Sequence, residues 1–237
     1  MLVLRRAATV WSGLKKRRKA KDLFSTGIQD KNPMEVIMKE KQTFFTAKTV
    51  TGVAVLLALV IVLQAIGGTI VVGAVQLNFT LIPIVLGAVL FGALAGAILG
   101  FACGVVVLIQ VIAGAVPFYT LIWTNDPVAT TLTCLVKTTA AGFVAGVLYQ
   151  ILQKKSKTAA LFTAAGAVPV INTALFIVGC LFMTDSVYTI NGDQNVLVFI
   201  LVSLVTVNFF IEFALNVLVA PALNRVIDVI GKNIKRK

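Results

Sequence analysis

Apolar residues run along this chain in blocks far longer than a soluble helix needs. From Thr49 to Asn125 no residue carries a formal charge. A bilayer crossing takes roughly 20 apolar residues, so that stretch alone holds about three. Apolar runs separated by polar, Gly or Pro breaks predict helices over 44–66, 78–92, 94–113, 128–151, 158–182 and 196–222. The second is short. Before it, the segment from Gly67-Gly68 to Leu77 is apolar but rich in β-branched and Gly residues. That predicts a loop folded back against the protein, because irregular backbone cannot face lipid. The expected fold class is an all-α integral membrane protein, a six-transmembrane-helix bundle.

Composition agrees with that solvent. The chain has 237 residues, 59% of them hydrophobic and only 13% charged, where a soluble domain carries about 25% charged residues. The charges also divide by side. Residues 1–43 hold eleven Lys/Arg against four Asp/Glu, the link after the fourth helix reads KKSK, and the tail contains GKNIKRK. The remaining links hold Asp126, Asp185 and Asp193 and no Lys or Arg. The positive-inside rule places both termini and the 154–157 link in the cytoplasm, which requires an even number of spans. Three segments result: a basic cytoplasmic arm over 1–43, a membrane domain over 44–222, and a basic cytoplasmic tail over 223–237. The net charge of +12 is then topological, and nucleic acid is not needed as a partner. KKRRKAK in the arm is suited to anionic lipid.

Several chemistries are excluded. There is no His, hence no Ser-His-Asp triad and no His metal site or proton relay. No G-x-x-x-x-G-K-[ST] occurs, so the chain binds no ATP through a P-loop. Cys103, Cys134 and Cys180 lie far apart within spans and lack C-x-x-C spacing, which predicts buried packing residues rather than a disulfide or zinc site. No enzyme, cofactor or metal is expected.

Small residues recur at helical spacing. Gly92, Gly96, Gly100 and Gly104 stand four apart, and Gly142 and Gly146 repeat the device, which predicts close packing inside the bundle. Ala47, Ala54, Ala58 and Ala65 form one narrow face of the first helix. That face serves either internal packing or a partner.

The stretch LNFTLIPIVLGAVLFGALAGAILGFACGVV resembles the substrate-binding S component of energy-coupling factor vitamin transporters. The shared pattern is an apolar lead-in, then IP, then G…FG.LAGA..G across the second and third helices. AVLLA at Ala54–Ala58 is similar to the A-x-x-x-A motif by which such proteins dock their membrane coupling partner. The resemblance covers about 44–222. It implies a subunit of the plasma membrane that captures a vitamin or related micronutrient from outside. It further implies a transmembrane coupling protein and two cytoplasmic ATPases as partners, and a binding pocket between the outer parts of helices four to six and the outer loops.

One charge sits deep in the apolar pattern. Lys137 lies roughly 13 Å below the outer start of the fourth helix, counting about 1.5 Å per residue. Asn172 and Asn208 fall at a similar depth, and Pro169 loosens the fifth helix just below Asn172. Glu212, one turn deeper than Asn208, is the acidic residue within a span. Lys137 therefore either meets a ligand or gates, forms an ion pair with Glu212, or snorkels to an interface. The outer stretch GAVPFYTLIWTNDP offers Phe118, Tyr119 and Trp123 to stack on a flat ring and Asn125 or Asp126 to hydrogen-bond it; an interfacial aromatic belt is the other reading. Asn78, Tyr188 and Asn195 are further lining candidates. Two other functions fit the same pattern: a stand-alone secondary transporter or channel, for which an inverted repeat would be expected, and a membrane scaffold of the MreD type.

Overall fold

The computed structural model describes residues 47–67, 71–72, 75–191, 195, 198–200 and 206–235. The basic arm lies outside the described residues, as does most of the expected start of the last helix. The described elements are α1 (Ala47–Gly67), β1 (Val71–Val72), β2 (Val75–Gln76), α2 (Leu81–Phe91), α3 (Ala93–Ile112), α4 (Pro117–Asn125), α5 (Pro127–Leu152), α6 (Lys157–Phe182), α7 (Thr184–Asn191) and α8 (Thr206–Lys235). Among the described residues, five helices are long and apolar enough to cross a membrane. The second expected span is the shorter α2 of 11 residues, about 16 Å long at 1.5 Å per residue.

The reason for its shortness lies in the chain before it. After α1, Val71–Val72 pairs antiparallel with Val75–Gln76, so the fold-back takes the form of a minimal hairpin. The chain then drops into the bundle before α2 begins. Thr80, its N-cap, is fully buried and hydrogen-bonds to Gln64 of α1. At the other end, Gly92 turns at φ 94°, a conformation that costs glycine little and other residues more. A Cβ on Gly52, near the start of α1, would meet the Phe91 ring. So α2 runs between the levels of Gln64 and Gly52.

The centre of the bundle is α5, packed between α3 and α6. Its approach to α3 is close enough to touch backbone on backbone. A Cβ on Gly96, Gly100 or Gly104 would press on the carbonyl oxygens of Gly142, Thr138 and Cys134 respectively, and a Cβ on Gly146 would meet Ala93. The glycine spacing thus serves internal packing, as the sequence implied. Cys103, Cys134 and Cys180 are buried free thiols.

α1 behaves differently. Leu56, Val60 and Gln64 point inward and are buried. Ala47, Ala54, Ala58 and Ala65 are exposed, along with Val55, Leu59, Val62 and Ile66. The alanine stripe therefore does not pack against its own bundle. The stretch GAVPFYTLIWTNDP, expected as an outer loop, carries α4, with Pro117 at its first turn, where a missing N–H costs nothing. α8 continues beyond 222 to Lys235, with Pro221 inside it.

Candidate functional site

Three helices and the short α4 bring the site together. Lys137 on α5 is buried, at 7% exposure. Its ammonium donates to the Tyr119 hydroxyl of α4 at 2.6 Å. It also lies 4.8 Å from the centre of the Tyr119 ring and 5.4 Å from that of Phe176 on α6, within the range of cation–π attraction. Burial holds the Tyr119 phenol well above its usual value, so this partner stays protonated and neutral. A buried cation thus rests on a neutral hydroxyl and two ring faces.

The rings form a cluster. Tyr119 and Phe176 lie 5.5 Å apart between centres, and Phe118 lies 5.8 Å from Tyr119, 6.2 Å from Phe176 and 6.4 Å from Phe199. These spacings are those of edge-to-face and tilted aromatic contacts. One turn from Phe176 on the same face of α6 stands Asn172, at 6% exposure. Its Oδ1 is buried with no hydrogen-bond donor. Buried acceptors are nearly always satisfied in folded proteins, so this one marks a place where a donor is wanting.

Glu212 supplies the opposite pole. It is 6% exposed on α8 and shares one helical face with the buried Asn208 and Asn216, spaced by four residues. Its carboxylate accepts the Asn78 backbone N–H at 2.9 Å, and Asn216 donates to the Glu212 carbonyl at 2.9 Å. Lys137 and Glu212 are within electrostatic reach of each other, but the structure gives each a different hydrogen-bond partner. A crevice too tight for a water-sized sphere opens beside Glu212, walled by Asn78, Phe79, Ile82 and Asn216.

From Asn78 a polar chain leads away across the bundle. Thr80 hydrogen-bonds to the Asn78 side chain, to Gln64 at 3.5 Å and to Cys103 at 3.0 Å. The Gln64 side chain in turn donates to Gln110 Oε1 of α3 at 3.0 Å, and the Gln110 side chain donates to the Gln64 backbone carbonyl at 3.1 Å. The α4–α5 and α6–α7 junctions are tied separately: Ser186 of α7 donates to Asp126, and Thr130 bonds to Met183 at 3.5 Å. A cleft of about 440 Å³ beside this tie is walled by Val128, Leu132 and Phe182. All three are exposed apolar side chains, and the buried charges do not line it.

Of the residues the sequence nominated, Lys137 and Tyr119 touch, and Asn78 and Glu212 touch. Asn172 and Asn208 are buried on the faces that carry Phe176 and Glu212. Trp123 is half-buried against the core. Asn125, Tyr188 and Asn195 are exposed. Sequence reasoning missed Phe176, although its place four residues after Asn172 was a usable signal, and it missed the Gln64–Thr80–Gln110 group.

An α-helical membrane bundle with a charged, ring-lined interior is the class these features define. Residues 48–224 match the family model described as ECF transporter, substrate-specific component. The chain belongs to that family and is a substrate-binding subunit of an ECF transporter, a multi-pass membrane protein of a transporter family rather than an enzyme family. Among curated proteins, none matches it.

Proposed function

We propose that this subunit captures a vitamin or similar micronutrient from the outer face of the plasma membrane and delivers it inward with a transmembrane coupling protein and two cytoplasmic ATPases. The observation that carries the reading of the site is Lys137, a buried cation whose hydrogen-bond partner is a neutral phenol. An anionic group on the substrate would supply the missing charge in a low-dielectric interior. Phe118, Tyr119 and Phe176 would flank a ring beside it. Substrate would enter between α4 and α7, the short helices near the outer ends of α5 and α6.

The bundle has six crossings in this reading, with α2 as the short one and both termini in the cytoplasm. Docking falls to α1, whose Ala54 and Ala58 are exposed rather than packed and leave room for close helix approach.

The test is to release small molecules from the purified protein, identify them by mass spectrometry, and follow their uptake into vesicles. A ring compound with an anionic group, taken up only when the coupling protein and ATPases are present and ATP is supplied, is the expected result. Uptake driven by an ion gradient without those subunits would replace this reading with a stand-alone secondary transporter.

A further inference from the structure

The site holds more than an anion pole. Glu212 is buried at 6% exposure, and its hydrogen bond comes from the Asn78 backbone amide, a neutral donor. Asn172 adds a buried acceptor, Oδ1, that receives no hydrogen bond. It stands one turn from Phe176, whose ring faces Lys137. Among the described residues the site therefore carries one cationic donor, Lys137, and two buried acceptors, Glu212 and Asn172. An anion alone would satisfy Lys137 and leave the acceptors as they are. Buried acceptors without donors carry a desolvation penalty that a ligand N–H relieves.

We propose that the substrate is bipolar: a ring compound carrying an anionic group at one end, held by Lys137, and N–H donors or an ammonium at the other, held by Glu212 and Asn172. This rests on the capture role proposed above and names the chemical class that the same site takes. Phe118, Tyr119 and Phe176 pack against the ring between the two poles. Glu212 discriminates, because a ligand without a donor leaves its carboxylate buried without gain. Such polar mismatches separate ligands by larger factors than apolar fit does.

The experiment uses the full-length protein in detergent and matched probes, read by thermal melting and calorimetric titration. Folate and thiamine monophosphate represent the bipolar class, lipoate an anion without an N–H donor, and thiamine a cation without an anion. A bipolar probe is expected to raise the melting temperature and bind at least 10-fold more tightly than lipoate or thiamine. Lys137→Met and Glu212→Gln should each weaken it at least 10-fold. Lys137→Arg and Glu212→Asp, which keep the charges, should recover part of the loss and guard against variants that merely misfold. Lipoate binding as tightly as either bipolar probe, or Glu212→Gln leaving affinity unchanged while Lys137→Met abolishes it, overturns the bipolar assignment and leaves anion capture standing. Binding unaffected by either variant overturns both.

Discussion

Lys137 was legible as an anomaly because a charge in an apolar run is costly wherever it ends up. Its partner was not legible, because Tyr119 lies 18 residues away on another helix and no spacing rule connects them. Two outcomes follow at this scale. A charge-assisted hydrogen bond is worth about 1.5–3 kcal/mol, so Lys137→Met should weaken substrate binding about 10- to 100-fold in calorimetric titration. Tyr119→Phe acts in the other direction on the empty protein. It keeps the ring over the ammonium but removes the hydroxyl, so the unliganded form should melt lower. If substrate takes the place of the phenol, the liganded form loses less, and the rise in melting temperature on saturation should grow. An equal fall in both states would mean the phenol still serves Lys137 when substrate is bound.

At the scale of elements, the glycine spacing was the clearest writing in the sequence, since a four-residue repeat has one physical use in a tight crossing. Gly100 faces the Thr138 carbonyl with no room for a side chain. Gly100→Leu should therefore prevent α3 from seating on α5, seen as loss of monodisperse protein after extraction, whereas Leu94→Ala at an exposed position of the same helix should be tolerated. The alanines of α1 were ambiguous, because a narrow small-residue face reads the same whether it packs inside or out. Burial rules out the internal use, since Leu56, Val60 and Gln64 take the inward face and the alanines do not; docking is the use left to test. Ala58→Trp is expected to block co-purification with the coupling protein while substrate titration stays unchanged; normal co-purification would remove this face from docking. α4 was misread as loop because its nine residues are too few to declare a period, although Pro117 stood where helices begin. The hairpin was read only as a fold-back, since two-residue strands leave no alternation to see.

The whole molecule poses the question of how many times it crosses the bilayer. Among the described residues five helices have spanning length, yet the charges favour an even number. With five crossings and the 1–43 arm inside, the link carrying Lys154, Lys155 and Lys157 would lie outside. With five crossings and that link inside, the arm with its eleven basic residues would lie outside. Either arrangement breaks the positive-inside rule. Counting α2 removes the conflict, and its ends support doing so. Thr80 meets Gln64 near the C-terminal end of α1, and Phe91 meets Gly52 near its N-terminal end, so α2 runs alongside most of the length of α1. Single cysteines introduced as Ser12→Cys, Lys155→Cys and Thr184→Cys test this with a membrane-impermeant maleimide, against a low background because the three native thiols are buried. Thr184→Cys should label in intact cells, and Ser12→Cys and Lys155→Cys only after the membrane is opened. Labelling of either of the latter two in intact cells would mean five crossings, with α2 dipping into the bundle and returning.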